Sequence, residues 1–521
     1  MPAFDVRDHL DALRDPACYP EAPSRVDLAE THISCVFLME RTVYKLKKPV
    51  DFGFVDYSTR ALRHRFCQRE VELNRRLTDD IYLGVVPLVR TVAGLRFTAR
   101  GRAVDWAVRM RRVSEDALWS RRLAARLLGR ADLERLAAVL AAFHAGAVVR
   151  APAVLAARDQ VLEDTLRDLT PAAGGLLSAQ ALSAIGDAVP HWRSRLDPLL
   201  RRRLRAGRFV DGHGDLRLEH VFERDGRVQA LDCVEFSPAL RRLDAAADLA
   251  FLLMDLDRNE RPDLALDLVS AYLRFSGDGS LPLCDRFYRA ERALVRAKVD
   301  LLAQASAGRP QAEVERLRRR AARWTELAAA YLQPPVPPAL LLVRGVAGTG
   351  KTALATRLAA QLGFAWLSSD VLRRTAAGRA AGAEAGEAKA VRYAPAARRA
   401  VYTRLHRTAG WYLARGFGVV LDATYLEPAL QAQAARLAAR HGVPARALSL
   451  QAPPAVVQRR LGERAPSASE ADWSVARQQI DVFGPVRAAG LDEVAIDAGG
   501  SFEETWRQVL QAAAVAQGAG G

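Results

Sequence analysis

The sequence predicts two domains of different construction: an α+β domain of two lobes, then an α/β domain built on a parallel sheet. Three observations carry this expectation. At 521 residues the chain is too long for one hydrophobic core and suggests about two to four domains. Four prolines fill positions 334, 335, 337 and 338, where they stiffen an extended connector and stop any preceding helix. That stretch cuts the chain into residues 1–332, a linker over 333–338, and residues 339–521. The patterns on its two sides also differ. Upstream, strand-like runs come first and helical patterns later; downstream, β-type runs alternate with helical segments.

Taken in order, "ISCVFLME" and "TVYKLKKPV" read as strands separated by a turn near Glu40-Arg41. The helical stretch "RHRFCQREVELNRRLTDD" follows, then strands in "YLGVVPLVRT", "GLRFTAR" and "DWAVRMRR". From about 115 to 205 the pattern is mostly helical. It is helical again over about 285–332, where "ERALVRAKVDLLAQA" and "VERLRRRAARWTELAAAYL" repeat apolar residues at three and four. Beyond the prolines, "ALLLVRG", "FAWLSSD", "GFGVVLDATY", "ARALSLQA" and "EVAIDA" are β-runs separated by helical segments, the signature of a parallel sheet covered on both faces. No repeat with a period of 20–50 residues is evident.

Composition narrows the function classes. The net charge of +16 invites a nucleic-acid reading, but arginine and alanine are abundant along the whole chain and asparagine occurs only at 74 and 259. The charge therefore reads as a compositional bias rather than a localised basic stripe, and nucleic acid is not the expected partner. Lysine is rare, with three of six residues in "VYKLKKPV" (Lys45, Lys47, Lys48) and one, Lys351, in a glycine-rich loop. A compact ammonium reaches between phosphate oxygens where a planar guanidinium does not, which marks these positions for attention. The N-terminal stretch has no apolar h-region, and "LAAVLAAFHAGAVV" falls short of the ~18 residues of a membrane span. Cys18, Cys35, Cys67, Cys233 and Cys284 show no metal or redox spacing. Reduced, partly buried thiols in a cytoplasmic protein are expected.

The first candidate site is "DGHGDLRLEHVF", residues 211–222. Asp225-Gly226 then lies between two β-type runs, a strong hairpin signal. If it is a two-residue turn, Arg224 pairs with Arg227, and His220 falls opposite Leu231, next to Asp232. Asp215, His220 and Asp232 then meet at one end of a hairpin, a grouping suited to a divalent metal and a phosphate. The competing reading is a polar loop without chemistry.

With Lys45 in "VYKLKK", "FHAG" at 143–146, "HGDLRLEH" and "DCVEF", residues 1–332 resemble the aminoglycoside-phosphotransferase-like branch of the protein-kinase fold. The resemblance implies that Lys45 holds the α- and β-phosphates and pairs with Glu70. It implies that Asp215 orients the substrate hydroxyl or accepts its proton, and that Asp232 binds magnesium. It also places Arg109-Met110-Arg111 at the hinge near adenine and "THIS" (31–34) over the phosphates, since there is no GxGxxG. His220 stands where the family has asparagine. An imidazole is a poor magnesium ligand, so three outcomes stay open: metal held mainly by Asp232, a softer metal such as manganese, or reduced turnover.

The second site is "GVAGTGKT", residues 345–352, a complete G-x-x-x-x-G-K-[ST] between a β-run and a helical pattern. Backbone amides around Gly345, Gly348, Thr349 and Gly350 are expected to face phosphates, Lys351 the β/γ oxygens, and Thr352 a magnesium ion. Asp422 ends a strand in "VVLDAT", placed to support the metal or activate an acceptor. Ser368, Asp370 and Arg373 follow another strand on the acceptor side, and Asp370 could equally cap a helix. Arg459, Arg460 and Arg464 lie on an expected lid helix, where a merely solvated face is the alternative. The segment resembles small P-loop kinases of the gluconate, shikimate and zeta-toxin type, and the fusion resembles bacterial bifunctional phosphotransferase/ATP-binding proteins.

The sequence thus leads to an α+β bilobal protein-kinase-like domain followed by an α/β P-loop NTPase domain with a parallel sheet. It would use ATP and Mg²⁺ to phosphorylate a small hydroxylated molecule. A regulatory N-terminal pseudokinase and a nucleic-acid-associated NTPase are the alternatives.

Overall fold

The computed structural model describes residues 4–53, 55–173, 177–304, 310–377, 395–463 and 472–518. The chain divides into two compact units, residues 1–173 with 200–261, and residues 174–199 with 262–521.

The first unit opens with β1 (Asp27–Glu30), β2 (Ser34–Leu38) and β3 (Thr42–Lys47), then α1 (Arg60–Asn74), β4 (Tyr82–Thr91), β5 (Gly94–Phe97) and β6 (Ala103–Arg111). The strands form one antiparallel sheet in the order β1-β2-β3-β6-β4-β5. Strand alternation decides what each face carries. Tyr44 and Leu46 pack with Phe37, Leu88 and Leu95 on one face, whereas Val43 packs with Cys67 and Val71 of α1 on the other. Lys45 and Lys47 share the period of Val43, so the sequence aims both lysines at α1. Thr59 caps that helix by accepting from the Leu62 amide, worth about 1 kcal/mol. The helix stops at Asn74 rather than running through the expected 80, because the Leu77 and Thr78 amides turn back to the Asn74 carbonyl. β1, "DLAE", was not anticipated; it is a half-exposed edge strand without a hydrophobic run.

The helical part follows with α2 (Arg130–Gly146), α3 (Ala153–Ala173) and α4 (Ala179–Arg205), then β7 (Phe209–Asp211), β8 (Val221–Arg224), β9 (Arg227–Ala230), β10 (Arg242–Asp244) and α5 (Ala245–Arg258). β8 and β9 make the expected hairpin with Arg224 opposite Arg227. Asp225 and Gly226 take φ of 51° and 72°, the left-handed pair that a two-residue turn needs.

The second unit contains the first part of α4, then α6 (Pro262–Ser276), α7 (Pro282–Gln304) and α8 (Gln311–Tyr331). The α/β succession follows: β11 (Leu340–Arg344), α9 (Lys351–Leu362), β12 (Ala365–Ser368), α10 (Ser369–Ala377), α11 (Pro395–Leu413) and β13 (Val419–Asp422). It continues with α12 (Pro428–Arg440), β14 (Ala445–Gln451), α13 (Pro454–Gly462), α14 (Trp473–Val482), β15 (Asp492–Asp497) and α15 (Phe502–Gly518). All five strands run parallel in the order β12-β13-β11-β14-β15. Every residue of β11 and β13 is buried, as expected for central strands covered on both sides.

Upstream of the prolines, α6 packs on α9, and the loop after α6 meets the edge of this sheet. Asp267 of α6 pairs with Arg357 of α9, and Ser270 and Thr356 hydroxyls lie 2.8 Å apart. The Trp366 amide of edge strand β12 donates to the Gly279 carbonyl at 2.8 Å. A side chain at 279 has no room, because a Cβ would fall 1.8 Å from the Trp366 carbonyl oxygen. Among the described residues no helix is long and apolar enough to cross a membrane. All five cysteines are free and buried.

Candidate functional site

In the first unit the two β3 lysines and Glu70 meet as the alternation requires. Glu70 is fully buried and bridges them, with Oε1 2.9 Å from Lys45 Nζ and Oε2 2.8 Å from Lys47 Nζ. Lys45 also reaches Asp232 at 2.5 Å, and Lys47 contacts Glu235. Burial alone would push the Lys45 ammonium toward neutrality, but Asp232 and then Glu70 hold its titration well above the ordinary lysine range. Burial likewise works to raise the Asp232 carboxyl, and Lys45 followed by His220 outweigh it, so it titrates below the usual carboxylate range. The charges at this site are therefore fixed before any ligand arrives.

The loop between β7 and β8 is held from below by Asp248 of α5. Its carboxylate accepts from the His213 and Gly214 amides at 2.9 and 2.8 Å and lies 2.9 Å from His144 Nε2. Burial tends to raise the Asp248 carboxyl, yet the His144 bond and the charges around it bring it down to about 2. Gly212 is required here, since a Cβ would sit 2.4 Å from Asp248 Oδ2. His213 ties the loop to the hairpin through Nε2, 2.9 Å from the Leu231 carbonyl.

The expected juxtaposition is present. The Leu231 amide donates to the His220 carbonyl at 3.0 Å, and His220 lies 3.7 Å from Asp232 and 3.8 Å from Asp215 through side-chain atoms. Asp232 has φ of 65°, a left-handed conformation that costs a non-glycine residue about 1–2 kcal/mol. That turn aims its carboxylate at Lys45 and His220, while two fifths of its side chain stays open. Among the described residues no group of three or more His, Cys, Asp or Glu is arranged to hold a metal alone. Asp232 and His220 fit a divalent cation as a partial ligand set that nucleotide phosphates would complete. Met110 is buried at the end of β6, Arg109 pairs with Glu21, and Arg111 pairs with Asp80. "THIS" forms the β1–β2 turn, closed by the Thr31 amide on the Ser34 carbonyl.

In the second unit the glycine-rich loop links β11 to α9 as the motif requires. Gly348 and Gly350 take φ of 84° and 91°, which lets successive amides turn toward one point. Lys351 Nζ donates to the Val346 carbonyl at 2.7 Å, and Thr349 Oγ1 donates to the same carbonyl at 2.9 Å. Thr352 Oγ1 donates to Asp422 Oδ2 at 2.9 Å, which joins the loop to the end of β13. The Trp366 indole donates to the same carboxylate oxygen at 3.3 Å. Burial pushes the Asp422 carboxyl up to about 6, opposed by Lys351 and reinforced by Asp370. Thr352 and Asp422 fit a magnesium ion as a hydroxyl and a carboxylate side by side, a hard-oxygen pair.

A cavity of about 370 Å³ opens beside this pair, lined by Lys351, Asp370, Arg373, Arg398, Tyr402 and Asp422 among others. Asp370 lies in the first turn of α10 and is paired to Arg373 at 2.5 Å. Ser368 ends β12 directly opposite Asp422. Arg460 lies on α13, where its guanidinium donates to the Ala498 and Gly500 carbonyls at 2.7 and 2.9 Å and ties that helix to the loop after β15. A forked guanidinium satisfies two carbonyls at once, and a sequence pattern cannot distinguish that use. Arg459 is exposed on α13, and Arg464 lies outside the described residues.

Sequence reasoning assigned no role to Lys47, Glu235, His144, Asp248 or Gln479. Lys47 had a signal in the scarcity of lysine and its two-residue spacing from Lys45. Gln479, whose Oε1 accepts from the Ala347 amide of the phosphate loop at 2.8 Å, had none, because the contact is set by where α14 packs.

The chain is similar to several known proteins. Residues 340–486 fit the family described as "AAA domain". An uncharacterized protein of Mycobacterium tuberculosis, Rv2004c, is 34% identical over 421 residues, covering 80% of this chain and 81% of that protein. Its counterpart in Mycobacterium bovis, Mb2027c, gives the same figures. Among solved structures, a gluconokinase from Sinorhizobium meliloti covers 35% of this chain and 95% of its own at 19% identity and a TM-score of 0.27. A choline/ethanolamine kinase family protein from Mesorhizobium loti covers 62% and 99% at 14% identity and a TM-score of 0.37.

Proposed function

We propose that this chain, a member of the family of these mycobacterial proteins, is an ATP-dependent kinase whose P-loop unit phosphorylates a small hydroxylated metabolite. The observation that carries the proposal is the Thr352–Asp422 hydrogen bond at the mouth of the cavity lined by Asp370, Arg373 and Arg398. Amides of residues 345–352 and Lys351 would neutralise the phosphate tail, and Thr352 with Asp422 would hold magnesium, which supplies charge stabilisation at the transferring group. Asp370 or Asp422 would orient the acceptor hydroxyl. Alignment and charge neutralisation rather than covalent chemistry would lower the barrier. The acceptor would carry hydroxyl groups together with a polar or anionic group complementary to Arg373 and Arg398.

The first unit supports a second phosphotransfer site, on one observation: Lys45 and Glu70 are already paired at 2.9 Å with Asp232 beside them. Asp215 would receive or orient its acceptor, and Lys45 would hold phosphates. The domain limits 1–332 and 339–521 remain the proposed chemical division, with α6 packing on α9 of the P-loop unit. A metabolite-library phosphorylation screen with wild type, Lys351→Ala and Asp215→Ala tests both sites. Loss of a product with one variant assigns it to one unit, and a product unchanged in both variants contradicts the proposal.

A further inference from the structure

We propose that the nitrogen of His220 makes the first unit's nucleotide site selective for a first-row transition-metal cation, of the Mn²⁺ or Co²⁺ kind, over Mg²⁺. The inference rests on the reading of this unit as a metal–nucleotide site and adds which ion it takes.

The argument begins with the tautomer. His220 Nδ1 lies 2.7 Å from the backbone carbonyl oxygen of Asp215. A carbonyl oxygen only accepts, so Nδ1 carries the hydrogen and the neutral ring keeps its lone pair on Nε2. Nε2 points to the Asp232 side, 3.7 Å from Oδ2. Two donors of one ion, each about 2.1–2.2 Å from it, stand roughly 3–4 Å apart according to the angle between them. Adjacent donors of a six-coordinate ion stand about 3.0 Å apart, so the two side chains would close by roughly 0.7 Å on binding it. Glu219 lies 3.8 Å from the same nitrogen but is engaged by Arg217 at 2.5 Å, and its side chain is half exposed.

An asparagine at this position could do the same two things, donating from its amide nitrogen to the Asp215 carbonyl and offering its amide oxygen to a metal. The imidazole keeps the first bond and replaces the hard oxygen with a nitrogen. His220 is only 7% exposed and is held in place from one side by the loop, so the ring presents a fixed donor rather than a swinging one. Magnesium requires near-octahedral oxygen ligands and dehydrates reluctantly, whereas a mixed imidazole–carboxylate pair suits later first-row ions increasingly along the Irving–Williams order. His220 and Asp232 supply two donors, and nucleotide phosphates would complete the ion's shell.

The test uses the full chain carrying Lys351→Ala, which silences the P-loop site, with and without His220→Asn. ATP binding is titrated in Mg²⁺, Mn²⁺ and Co²⁺. The His220 form should favour Mn²⁺ and Co²⁺ over Mg²⁺, and His220→Asn should reduce that preference by roughly tenfold, the low end of what reordering a metal shell costs. Pulsed electron paramagnetic resonance on the Mn²⁺–nucleotide complex should show a directly bound histidine nitrogen, altered by ¹⁵N-histidine labelling and absent in His220→Asn. Should His220→Asn misfold, the label experiment on the His220 form decides alone. Equal affinity in all three ions with no histidine coupling overturns the inference but leaves the nucleotide site standing. No nucleotide binding in any ion refutes the underlying reading instead.

Discussion

Asp422→Asn separates what the site needs for chemistry from what the fold would choose. The Asp422 carboxyl is 3% exposed and titrates at about 6 instead of the ordinary 3.8. Its folded value is raised, so between roughly pH 4 and 6 the folded chain holds a proton that the unfolded chain has released. Stability from this group is therefore greatest below that window and is lost as pH rises through it. The shift of 2.2 units is an upper bound of about 3 kcal/mol at 1.36 kcal/mol per unit, of which about 1.5 kcal/mol falls between pH 5 and 8. An asparagine keeps an oxygen for Thr352 and Trp366 but never ionises. The expected result is that urea unfolding shows Asp422→Asn gaining on wild type by ~1–1.5 kcal/mol between pH 5 and 8, while phosphotransfer by the P-loop unit falls by more than about tenfold. A wild-type minus variant difference that does not move with pH would refute the assignment of a buried, proton-retaining carboxyl at this position.

Glu70→Gln should destabilise the first unit by about 3 kcal/mol, because it leaves Lys45 and Lys47 buried with Asp232 and Glu235 as their remaining carboxylate partners. Thermal unfolding with Glu70→Asp as a charge-preserving control checks this. Asp267→Ala should cost about 3 kcal/mol by stripping Arg357 of its closest carboxylate, and a fragment starting at 333 should be far less stable than one starting at 262. Limited proteolysis and circular dichroism of the two fragments read that difference. Gly279→Val should be worse tolerated than Gly277→Ala, since only the former drives atoms into the Trp366 backbone; soluble yield and melting temperature report it.

Much of both sites was legible because short-range rules fix them. Asp225-Gly226 set the hairpin register, and that register alone brought His220 beside Asp232. The glycine spacing fixed the phosphate loop, and alternation in β3 explains the Lys45–Glu70 pair. What escaped depended on long-range packing. The Asp248 brace lies 34 and 35 residues from the amides it holds, and nothing in "DAAADLA" announces it. Arg460 matched a lid pattern, but its position beside the loop after β15 gave it two carbonyls to satisfy. The division at the prolines reads covalent punctuation, whereas the packing of α6 on α9 through Asp267 and Ser270 is a property of surfaces that meet only in the fold.

The most direct test is calorimetric titration of the full chain with ATP in Mg²⁺, comparing wild type with Lys351→Ala. The account predicts a magnesium-assisted site that disappears when the Lys351 ammonium is removed. Binding that is unaffected by Lys351→Ala, or wild-type protein with no magnesium-assisted affinity for ATP, would contradict it.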